Sequence, residues 1–141
     1  MKKLSSILFS VGLIISSLAG ILHFFAPYAF AWYSYIPEAP HEIYASIDYV
    51  NFFFSLLLTG LSLLLLYFKK KIFEVSKEIF IFYIFLVFTW FCRVLITFII
   101  PWPTPLQKWL IVGFSTEFII TFIPVIYLIK LYIANSKSQN N

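Results

Sequence analysis

A chain of 141 residues that is 62% hydrophobic and only 11% charged is excluded from being a water-soluble domain, because a small globule cannot hide so much apolar surface. Its formal charge of +4 does not point to nucleic acid, since the basic residues stand singly or in short runs at the ends of apolar segments, where membrane proteins keep their anchors. Cys92 is the only cysteine, which rules out an intrachain disulfide and a paired-thiol oxidoreductase.

Taken in order, the chain opens with Met1, Lys2 and Lys3 and then runs apolar from Leu4 to Phe25. That start imitates a secretory signal, with Ser17-Leu18-Ala19-Gly20 as its cleavage site, but apolar character continues past Gly20. The run reads as an uncleaved span, since crossing a bilayer takes about 20 residues. Within it Gly12, Ser16 and Gly20 recur every four residues and His23 follows three later. Small residues at that spacing let helix backbones approach closely.

The connection Ala26–Ala45 carries Tyr28, Phe30, Trp32, Tyr33, Tyr35 and Tyr44, broken by Pro27, Pro37 and Pro40. Amphipathic rings prefer the headgroup layer, so this segment is expected to lie across the outer mouth of a bundle. The second span, Ser46–Phe68, is apolar except for Asp48, Asn51, Ser55, Thr59 and Ser62, which fall on one helical face. A polar stripe on an apolar body suits a helix in lipid that turns one side to other helices. The third span, Ile79–Ile100, repeats Thr89, Arg93 and Thr97, and the fourth, Trp109–Tyr132, repeats Gly113, Glu117 and Thr121 before Pro124. Pro101, Pro103 and Pro105 break the chain between these two spans.

These elements predict an all-α membrane protein, a four-helix bundle with spans at residues 4–25, 46–68, 79–100 and 109–132. One domain covers residues 1–134, and the polar segment 135–141 reads as a disordered tail. Lys2, Lys3, Lys69, Lys70, Lys71, Lys77, Lys130 and Lys137 fall on one side of this topology and Lys108 alone on the other. The positive-inside rule therefore puts both termini in the cytoplasm, in a plasma or inner membrane. The abundance of Lys, Ile and Phe suggests a bacterial source.

Arg93 and Glu117 stand out, because a charge at mid-membrane costs on the order of 3 kcal/mol on insertion scales. At about 1.5 Å per residue each lies roughly 10–12 Å in from the outer ends of its span. Equal depth makes them the natural pair, with Asp48 as a second partner for the guanidinium. In the structural version the pair fixes the register of two helices. In the functional version Arg93, Glu117, Asp48, Asn51 and His23 line an outward-facing polar pocket whose arginine binds an anionic head group. Glu117 or Asp48 acting as a general acid or base is the enzymatic alternative, weakened because an adjacent arginine opposes the effect of burial. Glu38, His41 and Glu42 do not make a zinc motif, Cys92 reads as a packing residue, and no cofactor-binding motif is present.

The segment Gly20-Ile21-Leu22-His23-Phe24-Phe25-Ala26-Pro27, followed by an aromatic outer segment and a span containing Gly60, resembles the opening half of DoxX-like small four-helix membrane proteins. That resemblance implies an accessory subunit, since some members are linked to quinone-coupled sulfur oxidation or oxidative-stress resistance. The chain is also similar to four-helix sterol-isomerase and sigma-2-like proteins, but it departs from them by setting Arg93 among its acids. The expected function is a binder of a small lipid or quinone-like amphiphile, or an accessory subunit. The alternatives are a membrane enzyme, isomerase or quinone-linked oxidoreductase, and a helical partner for another membrane protein or a second copy.

Overall fold

The computed structural model describes residues 1–139. Four helices in it are long and apolar enough to cross a membrane, and no strand occurs among the described residues. They are α1 (Lys2–His23), α3 (His41–Tyr67), α5 (Lys77–Ile99) and α6 (Leu106–Gln139). The short helices α2 (Ala26–Ala29) and α4 (Lys69–Phe73) and a 3-10 turn at Trp32–Tyr35 fill the connections.

The ends of these helices follow local chemistry more than the apolar runs do. Pro40 is the N-cap of α3, with an extended backbone at φ −55° and ψ 149°. The helix therefore starts five residues before the Ser46 expected from hydrophobicity and takes in the polar His41 and Glu42. The break between α5 and α6 falls where the three prolines put it. There Gln107 bridges the two helix ends, its Nε2 donating to the Thr97 carbonyl at 2.7 Å while its Oε1 accepts from the Trp102 amide at 2.8 Å. One of the orphan carbonyls at the end of α5 is satisfied in this way. At its far end α6 runs to Gln139. Asn140 and Asn141 lie outside the described residues.

Packing gives a four-helix bundle in which α1 lies against both α3 and α6, α5 lies against α6, and of these neighbouring faces the one between α3 and α5 is the loosest. Close approach of α1 to α3 rests on Gly20, where a Cβ would come within 2.9 Å of the Thr59 amide nitrogen and 3.1 Å of the Ser55 carbonyl. Gly12 does the same for α1 and α6, a Cβ there meeting Thr121 Cγ2 at 2.7 Å. Asn51, Ser55 and Ser62 of the α3 stripe are buried, and Ser55 and Ser62 donate to carbonyls one turn back, so their hydroxyls need no partner from another helix. Phe9, Leu13, Leu65, Ile72, Tyr83, Leu86 and Leu128 form an apolar core toward the end of the bundle that carries both termini. Ile72 of α4 is fully buried in it, and Lys69 Nζ donates to Ser10 Oγ at 2.7 Å, tying the α3–α4 junction to α1. The outward faces carry exposed Ile7, Leu18, Leu57, Phe85 and Ile119, as a lipid-facing surface requires.

Candidate functional site

Two polar regions occupy the interior, and the charged residues are divided between them. The first is a closed hydrogen-bond cluster around Glu117, which is 3% exposed. Ser16 Oγ of α1 donates to Glu117 Oε1 at 2.6 Å, and Trp90 Nε1 of α5 donates to the same Ser16 oxygen at 2.8 Å. One serine thus joins three helices. One turn along α6, Tyr83 of α5 donates to the Thr121 carbonyl at 2.6 Å, close to Pro124, which cannot donate a backbone N–H. Glu117 Oε2 has no hydrogen-bond partner among the described residues.

The second region is a cavity of about 860 Å³ at the end opposite the termini, walled chiefly by α3 and α6 and bordered by Arg93 of α5. His23 from the end of α1, Asn51 from α3 and Arg93 from α5 bring its polar groups together. Its walls are otherwise apolar, with Ile47, Val50 and Phe54 on α3 facing Leu106, Leu110 and Phe114 on α6. Phe30 and Trp32 from the first connection and Trp102 from the third complete it, and the rings of Phe30 and Trp102 lie 6.4 Å apart. A recess of about 230 Å³ continues past His23 and Arg93 to Trp90, with Cys92 in its wall. A volume of this order is that of a small-molecule site.

Arg93 does not pair with Glu117 or with Asp48, which corrects the expected ion pairs; among the described residues the ion pair present is Lys70–Glu74 at 3.8 Å. The reason is rotational. Tyr83, Leu86, Val87 and Trp90 form the buried seam of α5, so Trp90 reaches Ser16 while Arg93 is turned toward the cavity. Glu117 meanwhile faces α1. The guanidinium lies instead 4.8 Å from the Phe114 ring centre and 5.9 Å from that of Phe54, within reach of a cation–π contact with each. Equal depth along two helices was the basis for the pairing, and depth says nothing about which way a side chain points.

The remaining expected residues divide the same way. Asn51 is buried and donates to the His23 carbonyl at 2.7 Å, holding the C-terminal end of α1 against α3. The His23 ring sits 5.0 Å from Phe54. Asp48 is exposed and accepts a hydrogen bond from the Tyr33 hydroxyl, outside the cavity wall. That hydrogen bond and the adjacent negative charge push the Tyr33 phenol up to about 12. Its sign follows: the contact is fully present below the ordinary tyrosine value of 10.0 and is lost as pH rises through about 12.

Glu38, His41, Glu42 and Cys92 gather into no metal-sized cluster among the described residues. Trp90, Tyr83 and Trp32 are the polar participants that pattern reading passed over as aromatic bulk. An indole N–H or phenol inside an apolar span is itself a signal, because a buried one needs a partner. Comparison of the chain with family models, curated proteins and solved structures gives no match.

Proposed function

We propose that this protein is a multi-pass binder of a small amphiphile, acting in an accessory capacity and not by turnover. The observation that carries the reading is the ligand-sized cavity between α3 and α6, apolar along its length and furnished with Arg93, His23 and Asn51 at one level. A cavity of that composition favours a molecule with an apolar body and one polar end. Against an enzymatic role stands the placement of the carboxylates. Glu117 is sequestered with Ser16, and Asp48 is engaged by Tyr33, so no carboxylate faces an occupant as general acid or base.

The orientation proposed is both termini in the cytoplasm of a plasma or inner membrane, with the cavity toward the outer face. Support for it is the clustering of Lys2, Lys3, Lys69–Lys71 and Lys77 at the end of the bundle that carries the termini. Native mass spectrometry of gently solubilised protein tests the binding role. Wild type is expected to retain a bound amphiphile that Leu110→Trp, which fills the cavity, does not retain. Equal retention by both, or by neither, would contradict the proposal.

A further inference from the structure

Inside the cavity the donors outnumber the acceptors, and those of Arg93 and Trp32 are uncommitted. Trp32 Nε1 is buried without a hydrogen-bond partner among the described residues, and Trp32 lines the same cavity as Arg93. The guanidinium lies near the rings of Phe114 and Phe54. Those contacts offer its N–H groups no acceptor, and five of them fan out in one plane. No carboxylate lines the cavity, and among the described residues none forms an ion pair with Arg93. The two carboxylates expected in that role are already engaged, Glu117 by Ser16 and Asp48 by Tyr33. The site is therefore cationic and donor-rich, in surroundings of low dielectric where an unpaired charge is poorly tolerated.

Resting on the amphiphile reading, we infer that the occupant carries an oxyanion head group, a carboxylate or phosphate, received by Arg93 and by the indole N–H of Trp32, with its chain running between Ile47 and Val50 of α3 and Leu106 and Leu110 of α6. An oxyanion offers several lone pairs and can take the arginine fork and a further donor at once. An amine head would meet Arg93 with like charge, and an alcohol would leave the arginine uncompensated.

Isothermal titration calorimetry on the full chain in phosphatidylcholine nanodiscs, corrected with protein-free nanodiscs, tests the inference with dodecanoate, dodecyl phosphate, dodecanol, dodecyltrimethylammonium and inorganic phosphate. The anionic chains are expected to bind at least about tenfold more tightly than dodecanol. Arg93→Gln should abolish that preference, Arg93→Lys should keep part of it, and Trp32→Phe, which removes only the N–H from a similar apolar ring, should reduce it severalfold. Dodecanoate ahead of dodecyl phosphate, or the reverse, identifies which oxyanion is taken. If all the chains bind alike and Arg93→Gln changes nothing, the oxyanion inference falls while the amphiphile reading stands. If no chain binds, or inorganic phosphate binds as well as the chains do, both fall. A variant that loses helicity or thermal stability is replaced by Arg93→Lys, for which a reduced but persisting preference for anions over dodecanol supports the inference, and an unchanged preference or none overturns it.

Discussion

Ser16 is the residue on which the interior depends most, because it accepts from Trp90 and donates to Glu117 at once. Ser16→Ala leaves both the indole N–H and the carboxyl without that partner, and each orphaned group costs about 1–3 kcal/mol. Glu117→Gln, in contrast, keeps an amide oxygen for the Ser16 hydroxyl and removes a buried ionisable group. The expected order in thermal unfolding of detergent-purified protein is Ser16→Ala well below wild type and Glu117→Gln within about 1 kcal/mol of it. A Glu117→Gln protein that unfolds as early as Ser16→Ala would show that the charge itself holds the bundle. Glycine positions give a second contrast. Gly20→Ala forces a Cβ against the Thr59 backbone and is expected to destabilise by roughly 1–3 kcal/mol. Gly113→Ala meets nothing within 4 Å and should be neutral or stabilising by a few tenths to about 1 kcal/mol. The sequence repeat treats these glycines alike, and the same unfolding assay separates them.

Among the elements, α4 shows most plainly a local rule broken at a boundary. Val75 follows this short helix with φ 72°, while Val75 N bonds to the Ile72 carbonyl at 3.2 Å and Ser76 N to the Lys71 carbonyl at 3.1 Å. This is the Schellman pattern, in which glycine normally takes the left-handed position. A β-branched residue there is strained by about 1–2 kcal/mol, so Val75→Gly is expected to raise the melting temperature despite some lost side-chain packing. An unchanged or lowered value would mean that Val75 contributes more by packing than its backbone loses. The spans themselves were legible in the sequence, because an apolar run of bilayer length can be little else. Their ends were not. A proline cap brought the start of α3 forward to His41. Periodicity also found the buried faces of α1 and α3, where small and hydroxyl residues repeat. It misjudged α5, whose buried seam of Tyr83, Leu86, Val87, Trp90 and Thr97 takes in Thr97 of the Thr89, Arg93, Thr97 repeat but not Thr89 or Arg93.

On the scale of the whole molecule, uneven packing makes the cavity. The α1–α3 and α1–α6 faces are drawn together by glycines and serines, while α3 and α5 are left apart at the end opposite the termini. The sequence carried the membership of His23, Asn51 and Arg93 in one polar level, but not the exclusion of Glu117 and Asp48, because helix rotation is decided by packing partners distant along the chain. Orientation in the membrane is tested with single cysteines in a Cys92→Ala background. Ser34→Cys should react in intact cells with a membrane-impermeant maleimide, and Lys70→Cys only after lysis; the reverse would turn the cavity toward the cytoplasm. The binding role is tested most directly by methyl NMR of the solubilised protein with one equivalent of a fatty acid spin-labelled on its chain. Broadening is expected to saturate and to centre on Ile47, Val50, Leu106 and Leu110, sparing Leu128 in the core and Ile7 on the lipid face. Broadening that never saturates, or that falls evenly on Ile7, Leu57 and the cavity wall, would contradict a binding site between α3 and α6.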